Sequence, residues 1–406
     1  MIRSIGVYIH IPFCVRKCAY CDFLSGPAPK ERRQAYAAAL RREIAREAVR
    51  YAGYEVHTIF FGGGTPSILE AGETAGILEC LDRYYHIQKK AEITMEMNPG
   101  TVDSDKLAGL KSSGVNRLSM GLQSADKAEL KLLGRIHTYE DFLQTYRLAR
   151  EAGFANINVD LMSALPGQDM DSWVGTLEKV TALQPEHISA YSLIIEEGTH
   201  LYDRLDEYPP VPDEDEDRRM YQATRQILAE KGYQRYEISN YAKAGYACRH
   251  NCIYWQRGTG HTVDYAGFGL GASSMVDNVR WKNTDDMESY LSVFAEDADI
   301  GQDVKEDVQT LSRVDHMEEF MFLGMRMTDG VSRLEFADTF GVGIDDVYGE
   351  ILRKWEKAGM LIRSGDRIRL TDAGIDVSNV VLADFLCTRA PRGRLSAYAD
   401  GCPARE

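Results

Sequence analysis

The sequence predicts an α/β protein, in which a partial parallel (β/α)6 barrel is followed by a smaller, mostly helical C-terminal domain. Two observations predict the barrel: six apolar, β-branched runs recur along the first half of the chain, and helical patterns separate them. Strands that alternate with helices are typical of parallel sheets with right-handed crossovers. A third observation predicts the smaller domain, because the pattern beyond about residue 305 is helical with one short hairpin.

The six strands are expected where β-branched and other apolar residues dominate: 5–11, 56–61, 92–97, 116–121, 156–161 and 187–195. A charged, Ala-rich stretch from about 32 to 51 predicts the first helix, and a second helix is expected to begin near residue 67. Six units are too few for a closed eight-stranded barrel, so we expect a barrel that is open along one side. In barrels of this kind the chemistry collects at the carboxyl ends of the strands.

The chain beyond the sixth strand divides into further predicted units. An acidic, Pro-rich stretch at 206–220 predicts a surface crossover that leads into a helix ending near residue 231. The predicted units are a barrel at 1–235, an aromatic-rich extension at 236–304, a helical domain at 305–387 and a disordered tail at 388–406. Two helices followed by a hairpin make the C-terminal domain winged-helix-like. Its charge is balanced and it has no basic recognition helix, which favours a structural role.

The charge and composition argue against several classes of protein. The chain has 406 residues and a formal net charge of −15, whereas a surface that binds nucleic acid needs concentrated positive charge. No apolar run approaches the ~18 residues of a transmembrane helix, and the N-terminal stretch is too short and strand-like for a signal peptide. Eight cysteines without an export signal predict reduced thiols and a cytoplasmic location. A transient contact with a membrane surface stays compatible with these features.

Three cysteines follow the first predicted strand directly. Cys14, Cys18 and Cys21 have C-x3-C-x2-C spacing. Cysteine thiolates are the ligands of iron–sulfur clusters, and three of them can hold three irons of a [4Fe–4S] cube while the fourth iron keeps an open position. The spacing alone leaves two alternatives, which are half of a zinc site or three unrelated thiols. A zinc site would need a fourth Cys or His nearby.

The surroundings of these cysteines resemble a known superfamily. A strand followed by C-x3-C-x2-C, with Tyr20 before the last cysteine, is similar to the radical SAM signature. In that superfamily the open iron binds S-adenosylmethionine (SAM), and one electron from the reduced cluster cleaves it to methionine and a 5′-deoxyadenosyl radical. The stretch YIHIPFC at 8–14 resembles the coproporphyrinogen-dehydrogenase-like group. Phe23, which stands where the oxidase branch has a fourth cysteine, resembles the other branch, the heme chaperones (HemW).

Glycines and polar residues stand at the other predicted strand ends, and the resemblance gives them roles. It implies that Tyr8, Tyr20 and Glu96 surround the SAM that ligates the cluster. It also implies that a further set holds SAM, including a second molecule described in the oxidase branch: Gly63, Gly64, Thr65, Gln123, Arg135 and Asp160. Whether one or two molecules bind stays open. Ala164 departs from the family pattern, which usually has glycine at this position.

The predicted extension carries HNCIYW at 250–255, which matches the HNxxYW motif of the heme chaperone branch. The match implies that His250 ligates heme iron, and an imidazole beside aromatic rings suits a porphyrin. The residues alone leave two alternatives, which are a histidine packed in an aromatic core and a metal site of Cys248, His250 and Cys252 on one face of a strand. Two departures from the family lie nearby: the long stretch 256–264 with His261, and Ser273, where many members have histidine.

The resemblance covers residues 1 to about 386 and implies a heme chaperone. Such a protein binds a [4Fe–4S] cluster, SAM and heme, receives electrons from a donor, and delivers heme to acceptor hemoproteins. The alternative is a radical SAM enzyme acting on a tetrapyrrole, either an oxygen-independent coproporphyrinogen III dehydrogenase or an enzyme of anaerobic heme degradation. Phe23 and the lack of an extension before Tyr8 count against the dehydrogenase. A radical SAM enzyme with an unrelated substrate is a further alternative.

Overall fold

A sheet of twelve strands organises most of the chain. The computed structural model describes residues 3–258, 264–298 and 301–386. The strands of the sheet are β1 Arg3–Ile11, β2 Tyr54–Gly63, β3 His86–Met97, β4 Arg117–Gln123, β5 Ile157–Ser163, β6 His187–Ser192, β7 Gln234–Arg235, β8 Asn240–Ala242, β9 Asp264–Phe268, β10 Ser273–Val276, β11 Val279–Asn283 and β12 Lys305–Thr310. Their order across the sheet is β12-β11-β10-β9-β1-β2-β3-β4-β5-β6-β8-β7.

The parallel part of this sheet confirms the predicted partial barrel. Strands β1 to β6 are parallel, and each pairs with the next one along the chain. These strands are largely buried on both faces, which explains why the sequence shows apolar runs in place of strict alternation. Strand β4, for example, has all seven of its residues buried. The carboxyl ends of β1 to β6 form one edge of the sheet, which we call the barrel mouth.

Helices cover the outer face of the parallel strands. Those of the barrel are α1 Lys30–Glu47, α2 Ala71–Tyr84, α3 Ser104–Ser112, α4 Lys127–Leu132, α5 Tyr139–Glu151, α6 Met170–Ala182, α7 His200–Asp203 and α8 Glu214–Glu230. The sequence marks several of their starts, because a side chain at the N-cap position accepts a hydrogen bond from the N–H three residues further on. These caps are Asp103, Thr138, Asp169 and Asp213.

The extension adds strands that the sequence did not indicate. Strand β9 lies parallel to β1 on the side away from β2, and β10 to β12 follow it as an antiparallel meander. Two short helices accompany them, α9 Arg249–Trp255 and α10 Met287–Val293. Strand β12 belongs to the large sheet, although the sequence suggested that residue 305 begins the helical domain. This edge strand is mostly exposed and therefore lacks an apolar run. The predicted domain boundaries themselves stay a prediction.

The C-terminal part confirms the predicted, mostly helical domain. Its elements are α11 Arg313–Gly324, β13 Val331–Ser332, α12 Arg333–Phe340, α13 Ile344–Lys357, β14 Leu361–Ser364, β15 Arg367–Leu370, α14 Asp372–Asp376 and α15 Ser378–Ala383. The three strands form a small sheet in the order β13-β15-β14, and the helices pack around a core of their own. The hairpin β14–β15 lies where the winged-helix-like pattern places it. Among the residues that the structure describes, no helix is long and apolar enough to cross a membrane.

A buried ion cluster joins this domain to the extension. Glu319 of α11 lies 3.1 Å from a guanidinium nitrogen of Arg257 and 2.6 Å from one of Arg280. The carboxylate of Glu319 and the guanidinium of Arg257 are both almost fully buried. Because a buried charge that loses its partner is costly, this cluster fixes how α11 docks.

Candidate functional site

The loop after β1 carries three cysteines with free, half-buried thiols: Cys14, Cys18 and Cys21. The N–H groups of Gly64 and Thr65, just after β2, donate to two carbonyl groups at the start of this loop, at 2.9 and 2.7 Å. The middle of the loop is held from two sides. The N–H of Ala19 donates to the carbonyl of Leu133 at 3.0 Å, and the N–H of Leu201 donates to the carbonyl of Ala19 at 2.8 Å. The loop therefore has a fixed course over the barrel mouth.

Two side chains from neighbouring strand ends contact the sulfur atoms. The hydroxyl of Thr65 donates to Sγ of Cys14 at 3.4 Å, and the guanidinium of Arg135 donates to Sγ of Cys18 at 3.6 Å. Asn98 connects the two, because its amide donates to Thr65 at 2.8 Å and accepts from Arg135 at 2.6 Å. The thiolate is the form of cysteine that binds metals, and these two donors are placed to hydrogen-bond to it. The sequence analysis missed Asn98, although its place just after β3 was a usable signal.

The glycine turn after β2 is shaped by close contacts. A Cβ atom on Gly64 would lie 2.7 Å from the carbonyl oxygen of Phe13 and 3.0 Å from Sγ of Cys14. Gly63 has a φ of 110°, and a Cβ atom there would lie 2.5 Å from the ring of His10. Only glycine fits these positions without displacing a neighbour. The turn therefore presents bare backbone to the mouth, beside the cysteines.

Two half-buried carboxylates face the same mouth from β3 and β5. Glu96 accepts a hydrogen bond from the N–H of Gly63 at 3.2 Å, and Asp160 accepts from Ser119 at 3.1 Å and Asn158 at 2.7 Å. Burial raises the pKa of Glu96 to about 8, and the negative charge of Asp160 contributes to this rise. Burial also raises the pKa of Asp160, against its hydrogen bonds. Within the described part of the chain neither carboxylate has an ion-pair partner, so a cationic ligand would stabilise both.

The remaining predicted residues lie at the same end of the sheet. The hydroxyl of Tyr8 contacts Nδ1 of His10 at 3.0 Å. Gln123 ends β4 with a φ of 72°, and its side-chain oxygen accepts from the hydroxyl of Tyr191 at 3.3 Å. Tyr20 packs in a small apolar cluster with Tyr191, and burial raises its pKa, against the effect of Arg135. The structure thus gathers the predicted cysteines, glycines, carboxylates and aromatic residues at one edge, while their roles as ligands stay a prediction.

The HNCIYW motif forms a helix and not a strand. Because α9 covers Arg249–Trp255, the alternation that would place Cys248, His250 and Cys252 on one strand face is wrong. Among the described residues, no group of three His, Cys, Asp or Glu side chains is arranged to hold a metal ion. His261 lies outside the described residues.

A carboxylate from β3 explains why this segment is helical. Glu92 accepts hydrogen bonds from the N–H groups of Arg249 at 3.2 Å and His250 at 3.1 Å. Free N–H groups and the helix dipole favour negative charge at a helix N-terminus. The guanidinium of Arg117 lies close by and is 1% exposed. Burial alone would lower the pKa of Arg117, but electrostatic attraction to Cys248 and Glu92 outweighs it, so that the pKa is raised. Neither Glu92 nor Arg117 was predicted, because only the tertiary fold brings them to α9.

His250 is buried among aromatic rings, and both of its ring nitrogens are engaged. Its side chain contacts Thr58 Oγ1 through Nδ1 at 2.8 Å and the hydroxyl of Tyr254 through Nε2 at 2.9 Å. The ring stacks on Phe60 with centroids 5.1 Å apart. Burial lowers the pKa of His250 to about 3, and Arg117 contributes, so the imidazole is neutral. This arrangement satisfies the core-packing alternative, and ligation of heme iron would require one of the two hydrogen bonds to break.

Comparisons with known proteins agree with this geometry. Residues 8–180 match the radical SAM superfamily, and residues 311–377 match the HemN C-terminal domain. The heme chaperone HemW of Lactococcus lactis is 34% identical over 382 residues, which cover 94% of this chain and 97% of the relative. The heme chaperone HemW of Escherichia coli is 35% identical over 395 residues, which cover 95% of this chain and 99% of the relative. Bovine mitochondrial radical S-adenosyl methionine domain-containing protein 1 is 32% identical over 94% of this chain and 87% of its own length.

A solved structure supports the fold over nearly the whole chain. Coproporphyrinogen III oxidase (HemN) from Escherichia coli, a radical SAM enzyme, superposes with a TM-score of 0.82 at 23% identity. The match covers 94% of this chain and 90% of that protein. At this level of identity the likeness establishes the arrangement of the barrel and the C-terminal domain, and no more than that.

Proposed function

Because the chain belongs to the heme chaperone HemW family within the radical SAM superfamily, we propose that it binds heme and delivers it to acceptor hemoproteins. In this proposal a [4Fe–4S] cluster and SAM occupy the barrel mouth, and an electron donor reduces the cluster. The observation that carries the proposal is the grouping, at one edge of the sheet, of three free thiols, two donors directed at sulfur and two carboxylates that have no ion-pair partner among the described residues.

Cys14, Cys18 and Cys21 would hold the cluster. Three thiols on a loop fixed at both sides suit a cluster that keeps one iron open. Thr65 and Arg135 would keep their hydrogen bonds to sulfur, and such bonds tune the reduction potential of iron–sulfur centres. When bound, the cluster supplies an open iron for SAM and the electron for its reductive cleavage.

Residues from neighbouring strand ends would hold SAM. Glu96 and Asp160 offer negative charge to a ligand whose ammonium and sulfonium groups are positive, and the bare backbone of Gly63 and Gly64 allows close approach. A cationic ligand would favour the ionised form of Glu96, which burial disfavours in its absence. The complete set proposed for SAM is Tyr8, Tyr20, Gly63, Gly64, Thr65, Glu96, Gln123, Arg135 and Asp160.

His250 is the residue we propose as the heme ligand. Its imidazole is neutral, which is the form that ligates iron, and it lies among the rings of Tyr8, Phe60 and Tyr254. Since the ring is 1% exposed, heme would bind after α9 moves enough to release one ring nitrogen.

Anaerobic reconstitution tests the cluster. The protein should contain about four iron and four sulfide per chain, which is the composition of the cube. Alanine at any of the three cysteines should abolish the cluster. Full iron content in the triple alanine variant would contradict the assignment.

Hemin titration of the reconstituted protein tests the chaperone proposal. A specific site should saturate near one hemin per chain, and His250→Ala should remove or shift the Soret band while iron content stays unchanged. His187→Ala is the matched control, because His187 is also buried with both nitrogens engaged, by Asn158 at 2.6 Å and Tyr236 at 2.8 Å. A Soret band like the parent's in His250→Ala would contradict His250 as the ligand.

A turnover assay distinguishes the chaperone from the tetrapyrrole enzyme. Phe23, which is 61% exposed on the cysteine loop, stands where the oxidase branch has a fourth cysteine. We therefore expect no conversion of coproporphyrinogen III by the reconstituted protein. Conversion, or hemin binding that never saturates, would decide against the chaperone.

A further inference from the structure

The HNCIYW helix packs closely against β1 and β2 beneath the barrel mouth. A Cβ atom on Gly6 would lie 2.5 Å from Cδ1 of Ile253 and 3.5 Å from Cε1 of His250. The lack of a side chain at Gly6 therefore lets α9 approach the strand. Thr58, which pairs with Gly6 in the register of the two strands, holds the imidazole through Nδ1.

Stacked rings continue from this helix to the mouth. The ring of His250 stacks on Tyr8 with centroids 6.4 Å apart and planes inclined by 28°. The hydroxyl of Tyr8 contacts His10, whose ring fills the space beside Gly63. His250 is thus connected through two rings to the glycine turn that we propose for SAM.

Tyr254 provides a second link to the same pocket. Its hydroxyl is hydrogen-bonded to Nε2 of His250, and its ring meets that imidazole edge-on, with centroids 5.3 Å apart. Burial raises the pKa of Tyr254, and the charges of Tyr8 and, more weakly, Glu96 add to the rise. The phenol is therefore connected to Tyr8 through the imidazole of His250.

We infer that His250 and Tyr254 form the floor of the SAM pocket, and that SAM and heme oppose each other's binding. The inference rests on the proposed function, because it takes Tyr8 and Glu96 as SAM residues and His250 as the heme ligand. To ligate iron, His250 must give up its bond to Thr58 or Tyr254 and leave the stack that supports Tyr8. Heme would therefore bind a state in which the floor is displaced, and SAM would bind the state described here.

Linkage makes this opposition reciprocal and measurable. If hemin weakens SAM binding by some factor, SAM must weaken hemin binding by the same factor. Coupling between two sites is typically 5- to 150-fold, and we expect a value of about tenfold here.

The first measurement is the Kd of SAM for the full-length, reconstituted protein, with and without one bound hemin per chain. Equilibrium dialysis should give a Kd that is about tenfold higher with hemin. An equal Kd while hemin is bound at one per chain overturns the inference and leaves the proposed function standing.

The second measurement needs no heme, so it tests the floor even if hemin fails to saturate and the proposed function falls. His250→Ala removes the stacked ring and should weaken SAM binding by about tenfold. His250→Phe restores a flat ring on Tyr8 and should recover most of the SAM affinity, although it cannot ligate iron. Unchanged SAM affinity in His250→Ala, at the iron content of the parent, would show that His250 does not form the floor of the SAM pocket.

Tyr254→Phe tests the restraint that the hydroxyl of Tyr254 places on His250, with little risk to the fold. Loss of the hydroxyl frees Nε2 of His250, so the affinity for hemin should rise by about fivefold. Tyr265→Phe is the matched control, because Tyr265 packs edge-on against Tyr254 with ring centroids 4.9 Å apart, while the two ring nitrogens of His250 are engaged by Thr58 and Tyr254. If Tyr254→Phe and Tyr265→Phe bind hemin with equal affinity, the hydroxyl of Tyr254 does not restrain His250.

Discussion

Replacing Glu96 by glutamine tests whether the barrel mouth is built for a cationic ligand. The carboxylate has one backbone hydrogen bond, from Gly63, and a pKa raised to about 8 by burial and by Asp160. Glutamine keeps the size and the hydrogen-bonding capacity but removes the charge. Hydrogen bonds to charged groups contribute about 1.5–3 kcal/mol, so Glu96→Gln should weaken SAM binding by about 10- to 150-fold.

The raised pKa also predicts a pH dependence with a definite sign. Below about pH 8 the ligand-free carboxyl group of Glu96 is mostly protonated, and a cationic ligand must displace that proton. The affinity for SAM should therefore rise by about tenfold per pH unit below the pKa and level off above it. Glu96→Gln has no proton to release and should lack this component. The difference between the two proteins cancels the titration of SAM itself.

Equilibrium dialysis of reconstituted protein measures both effects, with iron content as the check that the cluster is intact. Glu43→Gln is the matched control, since burial also raises the pKa of Glu43, to about 7, and its carboxylate accepts hydrogen bonds from Gly269, Asn283 and Tyr290 beneath α1. Glu43→Gln should bind SAM as the parent does. An unchanged affinity in Glu96→Gln, or the same pH slope in both Glu96→Gln and the parent, would refute the reasoning.

Three further predictions concern stability and are read from denaturant titrations. Ala164 has a φ of 56°, a backbone conformation that favours glycine. Ala164→Gly should therefore raise the free energy of unfolding by up to about 1 kcal/mol. A lower free energy of unfolding would show that the buried methyl group stabilises the fold by more than its backbone strain costs. Glu319→Gln leaves two arginines facing a neutral amide and should lower the free energy of unfolding by about 3 kcal/mol. A loss below about 1 kcal/mol would contradict the role of the Glu319 charge in the docking of α11. The folded state holds the proton of Glu43 more tightly than the unfolded state, so this carboxyl stabilises most below about pH 4.5 and loses about 3 kcal/mol as pH rises through 7. Glu43→Gln should lack that pH-dependent loss of stability. An identical loss in Glu43→Gln and in the parent would show that Glu43 is not its cause.

The barrel could be predicted because its signals are local and its geometry is regular. The run at 56–61 lies inside the observed strand Tyr54–Gly63, and each of the other five runs overlaps one strand, although three of them extend past a strand end. Once the strands are parallel, their carboxyl ends must meet at one edge. Gly63, Glu96 and Asp160 therefore come together although 97 positions separate the first from the last.

The parts that could not be predicted depend on contacts between distant residues. Residues 249–255 form a helix because Glu92, 158 positions before His250, accepts its first N–H groups. Strand β9 has five residues with a glycine among them, and it becomes a parallel strand only because β1 offers a free edge. Neither partner is visible in a window of neighbouring residues, so the sequence pattern indicated neither the helix nor the strand.

The charges around the mouth are divided between its two sides, and Asn98 stands at the boundary. On the cysteine side, Thr65 and Arg135 direct donors at sulfur; on the other side, Glu96 and Asp160 present carboxylates without ion-pair partners among the described residues. An amide can serve such a boundary because it donates through nitrogen and accepts through oxygen, and Asn98 does both. A carboxylate at this position could not donate to Thr65, and a lysine could not accept from Arg135. A ligand that carries charges of both signs satisfies the two sides in one orientation only. In the proposed function, this division of charge would orient SAM before any contact specific to its remaining groups is made.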